Sequence, residues 1–304
     1  MSVRPIPVEV LSPQRDLVGE SPVWSVAQQC LYWVDIEGRS IHRLDWANRH
    51  QSTWTLPERV GCIALSHRGT VIAAMETGVF EVTLSAPPLA QVALLAALTH
   101  PQKGMRFNDG RCDSSGRLWA GTMVQDMTQA NPAGGIYCLD EGGLRGPVLS
   151  GYITPNGMAF SPDGATGYVS DSHPKVQAIW SHTFDSATGS WGPKTAWVDM
   201  TPLPGRPDGA AVDTEGCYWI CGNDAGLVHR FSPKGNLLES IAVPVSKPAM
   251  CAFGGPELRH LFVTSIRPAI PAPGFNKALD GAVLVLEPGA QGLAEPLFSR
   301  FPVR

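Results

Sequence analysis

The sequence predicts an all-β fold, a six-bladed β-propeller. Two observations predict it: one short pattern recurs six times along the chain, and convincing helical periodicity is almost absent. Each copy reads as a short apolar strand, a turn with glycine, an aromatic-rich strand and a further strand that ends in a polar residue. Copies spaced by roughly 40–50 residues are typical of propeller blades, which bury their faces only against neighbouring blades. A β-sandwich with chance similarity between hairpins is the alternative.

The six copies follow one another without a linker. Their first strands begin at Gly19, Gly61, Asn108, Pro155, Pro207 and Pro248. Tight turns are predicted at the Ser-Pro-Asp-Gly of residues 161–164 and the Thr-Glu-Gly of residues 214–216, where glycine supplies a positive φ. The apolar residues 89–98 are interpreted as a strand and loop, and the proline-rich residues 267–274 as a loop over one end of the ring. Residues 8–11 are expected to join the C-terminal blade, because ring closure usually combines strands from both ends of a chain.

Length and composition are consistent with one domain, residues 1–304, since closed all-β rings often reach this size. The net charge of −4 argues against a nucleic-acid partner. Residues 1–7 lack the apolar segment of a signal peptide, and no apolar run approaches membrane-spanning length, so we expect neither secretion nor membrane insertion. The seven cysteines have no paired spacing; we expect buried reduced thiols, Cys217 and Cys221 included, and a cytoplasmic protein.

Polar residues recur at one position of the repeat. In a propeller the innermost strand of each blade begins at the mouth of the central channel, so equivalent starting positions converge on one axis. Those positions hold Glu20, Asn108, Asn156 and Asp208 in the first, third, fourth and fifth copies. The two carboxylates would repel each other unless a cation lies between them.

A metal site on the axis is therefore predicted. Glu20, Asn156 and Asp208 offer only oxygen ligands, which suit Ca²⁺, Mg²⁺ or Mn²⁺. The alternative is that these polar residues cap the inner strands and bind ordered water. Trp24, Trp33, Trp119 and Trp219 recur in the copies, and we expect them at matching positions between blades.

Six motifs stand in order along the chain. They are Gly-Glu-Ser-Pro-Val-Trp at 19–24, Tyr-Trp-Val-Asp at 32–35, Arg-Phe-Asn-Asp-Gly at 106–110, Gly-Arg-Leu-Trp-Ala-Gly-Thr-Met at 116–123, Pro-Asn-Gly-Met-Ala-Phe-Ser-Pro-Asp-Gly at 155–164 and Pro-Asp-Gly at 207–209. In this order the chain resembles the regucalcin (senescence marker protein) and gluconolactonase family of six-bladed propellers. The resemblance implies hydrolysis of aldonolactones, the cyclic esters of sugar acids.

The resemblance also implies roles for single residues. Glu20, Asn156 and Asp208 match the metal ligands of the family, and Arg106 and Asn108 match positions that bind the sugar lactone. The implied cofactor is one divalent ion, with Ca²⁺ expected and Mg²⁺, Mn²⁺, Zn²⁺ or Fe²⁺ as alternatives.

One more substrate contact is implied after the Gly-Thr-Met motif. Some members of the family carry a glutamate there, and the matching residue of this chain is Asp126, one methylene shorter. The loops at residues 127–131 and 268–275 are expected to choose among lactones that differ by single hydroxyl groups.

Lactone hydrolysis needs a polarised carbonyl, an activated water and a stabilised oxyanion. A divalent ion with open positions supplies the first and the last, and Asp208 can accept the proton of the water. A nucleophilic serine is disfavoured because no Gly-x-Ser-x-Gly motif is present. The expected partner is a small sugar lactone, with neither nucleic acid nor membrane. Hydrolysis of other esters or organophosphates on the same metal site is one alternative, and a calcium-binding protein without turnover is another.

Three further polar residues are expected near this site. Asp171 is either a partner of the metal ligands or the end of an ordinary strand. His173 is expected to be a loop histidine rather than an acid or base. Asp109 either orients its loop or faces solvent.

Overall fold

The computed structural model describes residues 3–302 and confirms the predicted six-bladed β-propeller. Two short strands come first, β1 (Val3–Arg4) and β2 (Val8–Val10). The first blade contains β3 (Gly19–Ser25), β4 (Cys30–Asp35), β5 (Ser40–Asp45) and β6 (Gln51–Thr55). The second contains β7 (Val60–Leu65), β8 (Val71–Met75), β9 (Gly78–Leu84) and β10 (Ala90–Ala97). The third contains β11 (Met105–Cys112), β12 (Leu118–Val124), a 3₁₀ helix (Met127–Gln129), β13 (Gly134–Asp140) and β14 (Gly143–Tyr152).

The remaining blades repeat this order. The fourth contains β15 (Pro155–Phe160), β16 (Thr166–Asp171), β17 (Ala178–Asp185), β18 (Ser190–Trp191) and β19 (Thr195–Asp199). The fifth contains β20 (Arg206–Val212), β21 (Tyr218–Asn223), β22 (Leu227–Phe231) and β23 (Leu237–Ala242). The sixth contains β24 (Pro248–Gly254), β25 (His260–Ser265) and β26 (Leu284–Leu286). Each innermost strand contacts the innermost strand of the next blade, and β24 contacts β3, so the ring is closed.

Both ends of the chain contribute to closure. Strand β2 pairs antiparallel with β26, with Val8 opposite Leu286, and completes the sixth blade as predicted. Strand β1 adds a parallel outer strand to the fifth blade, which the repeat pattern does not predict. The segment after β26 crosses the far side of the ring, where Phe298 bridges to Ser66 and Gly292 bridges to Asp213. Residues 89–98 contain β10, and the proline-rich residues 267–274 contain no strand, in agreement with their interpretation.

All six innermost strands carry a β-bulge near their start. The register against the second strand shifts between Glu20 and Val23, Val60 and Cys62, Phe107 and Gly110, Asn156 and Ala159, Pro207 and Ala210, and Pro248 and Cys251. A bulge inserts an extra residue and changes the direction in which side chains leave the strand. The bulges therefore fall where the axial residues leave the regular ladder.

The tryptophans only partly follow the repeat. Trp119 and Trp219 are equivalent, since each lies opposite the third residue after its axial residue and donates its indole N–H to an aspartate of the preceding turn at 2.9 Å. In the first blade this position holds Tyr32, and Trp33 is one residue further along. Trp24 lies on an innermost strand. The expectation of four matching positions is therefore wrong, because the second strand of the first blade has its aromatic pair shifted by one residue. The expected location between blades is confirmed, since all four tryptophans pack against side chains of a neighbouring blade.

All seven cysteines are free and buried. Among the described residues, no helix is long and apolar enough to cross a membrane.

Candidate metal centre and active site

The four predicted axial residues lie at the start of their innermost strands, as the repeat requires. Glu20, Asn108, Asn156 and Asp208 are each between 4% and 8% exposed. Asn108 donates its amide Nδ2 to Asn156 Oδ1 at 3.1 Å and to the carbonyl of Pro155 at 3.0 Å. The structure thus joins the third and fourth blades through two of the four side chains.

Arg106 is held beside this pair. Its Nη1 donates to Asn108 Oδ1 at 2.7 Å and to the carbonyl of Phe107 at 2.8 Å. The side chain is half-buried. The other N–H groups of the guanidinium have no protein acceptor within residues 3–302, so they are available to a ligand.

The two axial carboxylates carry uncompensated charge. Burial, and next the carboxylate of Asp208, raise the pKa of Glu20 well above its ordinary value. Burial raises the pKa of Asp208 to about 7, although Arg206 and Asn223 both act to lower it. Within residues 3–302 neither carboxylate pairs with a cationic side chain: Glu20 accepts a hydrogen bond from Ser21 N at 3.1 Å, and Asp208 accepts one from Asn223 at 2.6 Å. Buried oxygen donors with unbalanced negative charge fit a hard divalent cation.

The backbone at the first axial residue is strained. Ser21 has a φ of 48°, which is rare for a residue with a side chain. Its backbone N–H donates to Glu20 Oε2, and its hydroxyl accepts the N–H of Ile63 in the second blade at 2.9 Å. These two hydrogen bonds hold the strained bulge and orient the Glu20 carboxylate.

In the fourth blade, the residue after the axial position also has a positive φ, but it is a glycine. Gly157 has a φ of 59°, and a Cβ at this residue would clash with the hydroxyls of Tyr218 and Ser170. Tyr218 donates its hydroxyl to the carbonyl of Gly157 at 2.6 Å and so links the fifth blade to the bulge that carries Asn156.

Asp109 does not face solvent. Its carboxylate is buried and accepts the backbone N–H groups of Met158 and Gly110, both at 2.8 Å. Burial raises its pKa to about 6. Asp109 therefore ties the third blade to the fourth, as Ser21 ties the first blade to the second.

Asp171 and His173 also support backbone rather than ligands. Asp171 accepts the N–H groups of Ile153 at 2.7 Å and Thr154 at 3.1 Å, directly before the strand that carries Asn156. His173 accepts the N–H of Lys175 at Nδ1, which leaves Nε2 to donate to the carbonyl of Met127 at 3.1 Å. This is the loop role expected of His173, and it fastens the 3₁₀ helix to the fourth blade.

Asp126 lies apart from the axial hydrogen bonds. It is exposed and caps the 3₁₀ helix, where it accepts hydrogen bonds from Thr128 and Gln129. The Thr128 hydroxyl, more than any other group, lowers the pKa of this carboxyl. Its contact with substrate stays a prediction.

Three residues that hold the axial side chains were not part of the predicted site: Ser172, Arg206 and Asn223. Asn156 donates Nδ2 to the hydroxyl of Ser172 at 2.9 Å, and Asn223 donates to Asp208 Oδ2. Arg206 contacts both of these partners. Asn223 could have been found in the sequence, because it ends the second strand of its blade opposite Arg206.

A second equivalent position, two residues before the axial one, holds a cationic side chain in four of the six blades. The residue two places before the axial position is Arg59, Arg106, Arg206 or Lys247 in the second, third, fifth and sixth blades. Arg59, Arg206 and Lys247 each contact carboxylates of the rim, at 2.6 Å for Arg206 and Asp224. Within the described residues Arg106 is the one of these four that contacts no carboxylate, which favours it for substrate.

A second acidic group lies at the other end of the fifth blade. Asp213, Glu215 and Cys217 have ligand atoms close together. Arg230 already donates to Asp213 at 2.7 Å and to Glu215 at 2.6 Å, so its guanidinium supplies the positive charge. This group is a structural ion pair.

Within residues 3–302, the closed ring carries two axial carboxylates without a bonded cationic side chain and, beside them, an arginine that contacts no carboxylate; the fold is that of a propeller with a polar axial cluster. The chain belongs to the SMP-30/gluconolactonase/LRE-like family, whose model matches residues 18–267. It is 39% identical over 289 residues to a 6-deoxy-6-sulfogluconolactonase from Pseudomonas putida, which covers 94% of this chain and 96% of the relative. It is 29% identical to a pentonolactonase from Haloferax volcanii, over 82% of this chain and 81% of the relative. The crystal structure of a calcium-binding protein, regucalcin, from Agrobacterium tumefaciens superposes with a TM-score of 0.89 at 30% identity and covers 98% of this chain and 99% of its own.

Proposed function

We propose that this chain hydrolyses a sugar lactone, an aldonolactone, to the open aldonic acid with the help of one divalent metal ion. The observation that carries the proposal is the axial site itself: Arg106, Asn108 and Asn156 form one hydrogen-bonded row beside the buried carboxylates of Glu20 and Asp208. The lactonase names of two relatives that match more than four fifths of the chain support the same reaction class.

Glu20, Asn156 and Asp208 would hold the ion, because they bring the uncompensated oxygens of the axis together. Ca²⁺ is the expected ion, and Mg²⁺, Mn²⁺, Zn²⁺ and Fe²⁺ are alternatives. When bound, the ion would polarise the lactone carbonyl and stabilise the charge that develops on its oxygen. The seven buried free cysteines support a reducing compartment such as the cytoplasm.

The side chains have separate roles in this proposal. Arg106 and Asn108 bind substrate oxygens and orient the ring. Asp208 accepts a proton from water as the water oxygen bonds to the carbonyl carbon. The proton then passes to the ring oxygen when the bond between that oxygen and the carbonyl carbon breaks, which gives the aldonic acid.

A panel of aldonolactones followed with a pH indicator tests the proposal. The protein is treated with a chelator, and Ca²⁺, Mg²⁺, Mn²⁺ or Zn²⁺ is then restored singly. The panel includes a sulfonated aldonolactone, because Arg106 has no carboxylate partner within residues 3–302. Hydrolysis lost on chelation and regained with an ion is expected; hydrolysis unaffected by chelation contradicts the metal site. Preference for aryl esters or organophosphates over every lactone indicates the alternative hydrolase, and metal binding without any turnover indicates the calcium-binding protein.

A further inference from the structure

Arg206 stands at the centre of hydrogen bonds that reach two of the proposed metal ligands. It occupies the fifth blade at the position that Arg106 occupies in the third, two residues before the axial residue. Unlike Arg106, it is bonded to a carboxylate of the protein. Its Nε donates to Asp224 Oδ2 at 2.6 Å.

One arm of the network leads to Asp208. The Nη2 group of Arg206 contacts Asn223 Oδ1 at 3.4 Å, the longest link in the network, and the two residues lie directly opposite each other on neighbouring strands. Asn223 is 1% exposed and donates Nδ2 to Asp208 Oδ2 at 2.6 Å. An amide has separate donor and acceptor ends, so contact of Arg206 with the oxygen fixes the nitrogen toward Asp208.

The other arm leads to Asn156 in the fourth blade. Arg206 Nη1 donates to the backbone carbonyl of Ser172 at 2.9 Å, and the hydroxyl of Ser172 accepts Asn156 Nδ2 at 2.9 Å. Ser172 is buried. With its nitrogen engaged there, Asn156 presents its amide oxygen to the axis.

We propose that Arg206 is a positioning residue that sets the orientation of two metal ligands at once, Asp208 through Asn223 and Asn156 through Ser172. The inference rests on the proposed metal site. A partner behind a ligand fixes which atom faces the metal, and its loss typically lowers metal affinity or activity by about 10–100-fold. Arg206 would thus orient one ligand in the fourth blade, Asn156, and one in the fifth, Asp208.

Arg206→Lys is the test, because it keeps the positive charge beside Asp224 but removes the planar fork that reaches both arms. Lys247→Met is the matched control, since Lys247 contacts the same Asp224 carboxylate and, within residues 3–302, forms no hydrogen bond with Asn223 or Ser172. Mn²⁺ affinity is measured by calorimetry without substrate, kcat and KM with the best lactone, and folding by circular dichroism. Arg206→Lys should bind Mn²⁺ about 10–100-fold more weakly with a lower kcat, and Lys247→Met should match the wild type within about twofold.

A second variant separates positioning from a general loss of structure. Asn223→Ala cuts only the arm to Asp208, so in combination with Arg206→Lys its effect on Mn²⁺ affinity should be less than the product of the two single effects. Wild-type affinity in folded Arg206→Lys, an equal loss in Lys247→Met, or full additivity with Asn223→Ala overturns the inference. If the wild type binds Mn²⁺ but hydrolyses no lactone, the proposed reaction fails while the affinity series still decides the role of Arg206. If the wild type binds no metal, both fail.

Discussion

Two carboxylates, Glu20 and Asp208, meet on the axis of the ring without a cationic side chain bonded to either within residues 3–302. Such a pair is unfavourable in a buried channel, because burial and mutual repulsion both disfavour the charged forms. A divalent cation would remove both penalties, which is the physical reason for proposing a metal at this position.

Glu20→Gln tests that assignment at the level of one atom. The amide keeps the size of the side chain but replaces one ligand oxygen with a nitrogen, so affinity for Ca²⁺ or Mn²⁺ and lactonase activity should fall together by at least about tenfold. Calorimetric titration and initial rates measure the two quantities. Glu9→Gln is the control, since Glu9 is exposed and lies on the outer strand β2. A folded Glu20→Gln protein that keeps full affinity and activity would remove Glu20 from the ligand set.

Arg106 should contribute to binding rather than to the chemical step. Its guanidinium can contact substrate oxygens in both the ground state and the transition state, so Arg106→Ala should mainly raise KM. Steady-state kinetics on the best lactone give KM and kcat separately. A large fall in kcat with unchanged KM would instead show that Arg106 stabilises the transition state alone.

The role of Asp208 as a base cannot be tested by Asp208→Asn alone, because that change also alters the hydrogen bond with Asn223. In Asp208→Asn the new amide must offer its oxygen to the Asn223 nitrogen, and its own nitrogen then faces the axis, so the ligand is lost together with the base. The D208N/N223D double variant reverses donor and acceptor and keeps an oxygen on the axis. With metal occupancy confirmed, it should lose about 10²–10⁴-fold in kcat if Asp208 is the general base. Near wild-type kcat in the metal-loaded double variant would leave Asp208 as a ligand only.

At the level of elements, the repeated bulge decides where side chains point. Six innermost strands share a bulge near the start, but the residue that stabilises it differs: Ser21 in the first blade, Asp109 in the third and Gly157 in the fourth. Ser21 and Asp109 each accept a backbone N–H of the next blade. The bulges therefore join neighbouring blades as well as presenting the axial residues.

Ser21→Ala should weaken this junction. It leaves the buried N–H of Ile63 without its acceptor, which costs about 1–3 kcal/mol of unfolding free energy. Denaturant unfolding measures the loss. Ser25→Ala, at the other end of the same strand, is the control; among the described residues the Ser25 hydroxyl accepts a single hydrogen bond, from the N–H of Gln28 in a turn. Equal stability of the two variants would contradict the role given to Ser21.

At the level of the whole molecule, the segment after the last strand crosses the far side of the ring and is bonded to several blades. Glu295 bonds Arg111 Nη1 at 2.8 Å, and Arg111 also donates to the carbonyl of Ala210 at 2.7 Å. The side chain of Arg111 is 10% exposed and that of Glu295 is 14% exposed.

Removal of this ion pair should destabilise the closed ring. Glu295→Ala leaves the half-buried Arg111 guanidinium without its carboxylate partner, which should lower the free energy of unfolding by about 1–3 kcal/mol. Thermal unfolding followed by tryptophan fluorescence measures it. Glu257→Ala is the control, since Glu257 is largely exposed and should change stability by about 0.5 kcal/mol or less. If both variants melt with the wild type, the C-terminal segment does not stabilise the ring.

The amino-acid sequence by itself determined the ring and its axial residues. Repeat symmetry makes equivalent positions meet on one axis, so Glu20, Asn108, Asn156 and Asp208 could be placed together before any coordinates were known. The same reasoning placed Trp33 wrongly. A shift of one residue in a second strand leaves the repeat pattern recognisable, but it puts the side chain on the opposite face of the sheet.

Only the tertiary structure decided what stands behind the axial residues. The bond between Glu295 and Arg111 joins residues 184 positions apart, and the contact of Arg206 with Ser172 crosses from the fifth blade to the fourth. Such partners depend on the twist of each blade, the direction set by each bulge and the rotamer of each side chain, none of which a repeat pattern encodes. Repeats specify which backbone positions are equivalent, whereas the non-repeating side chains acquire partners only when the ring closes.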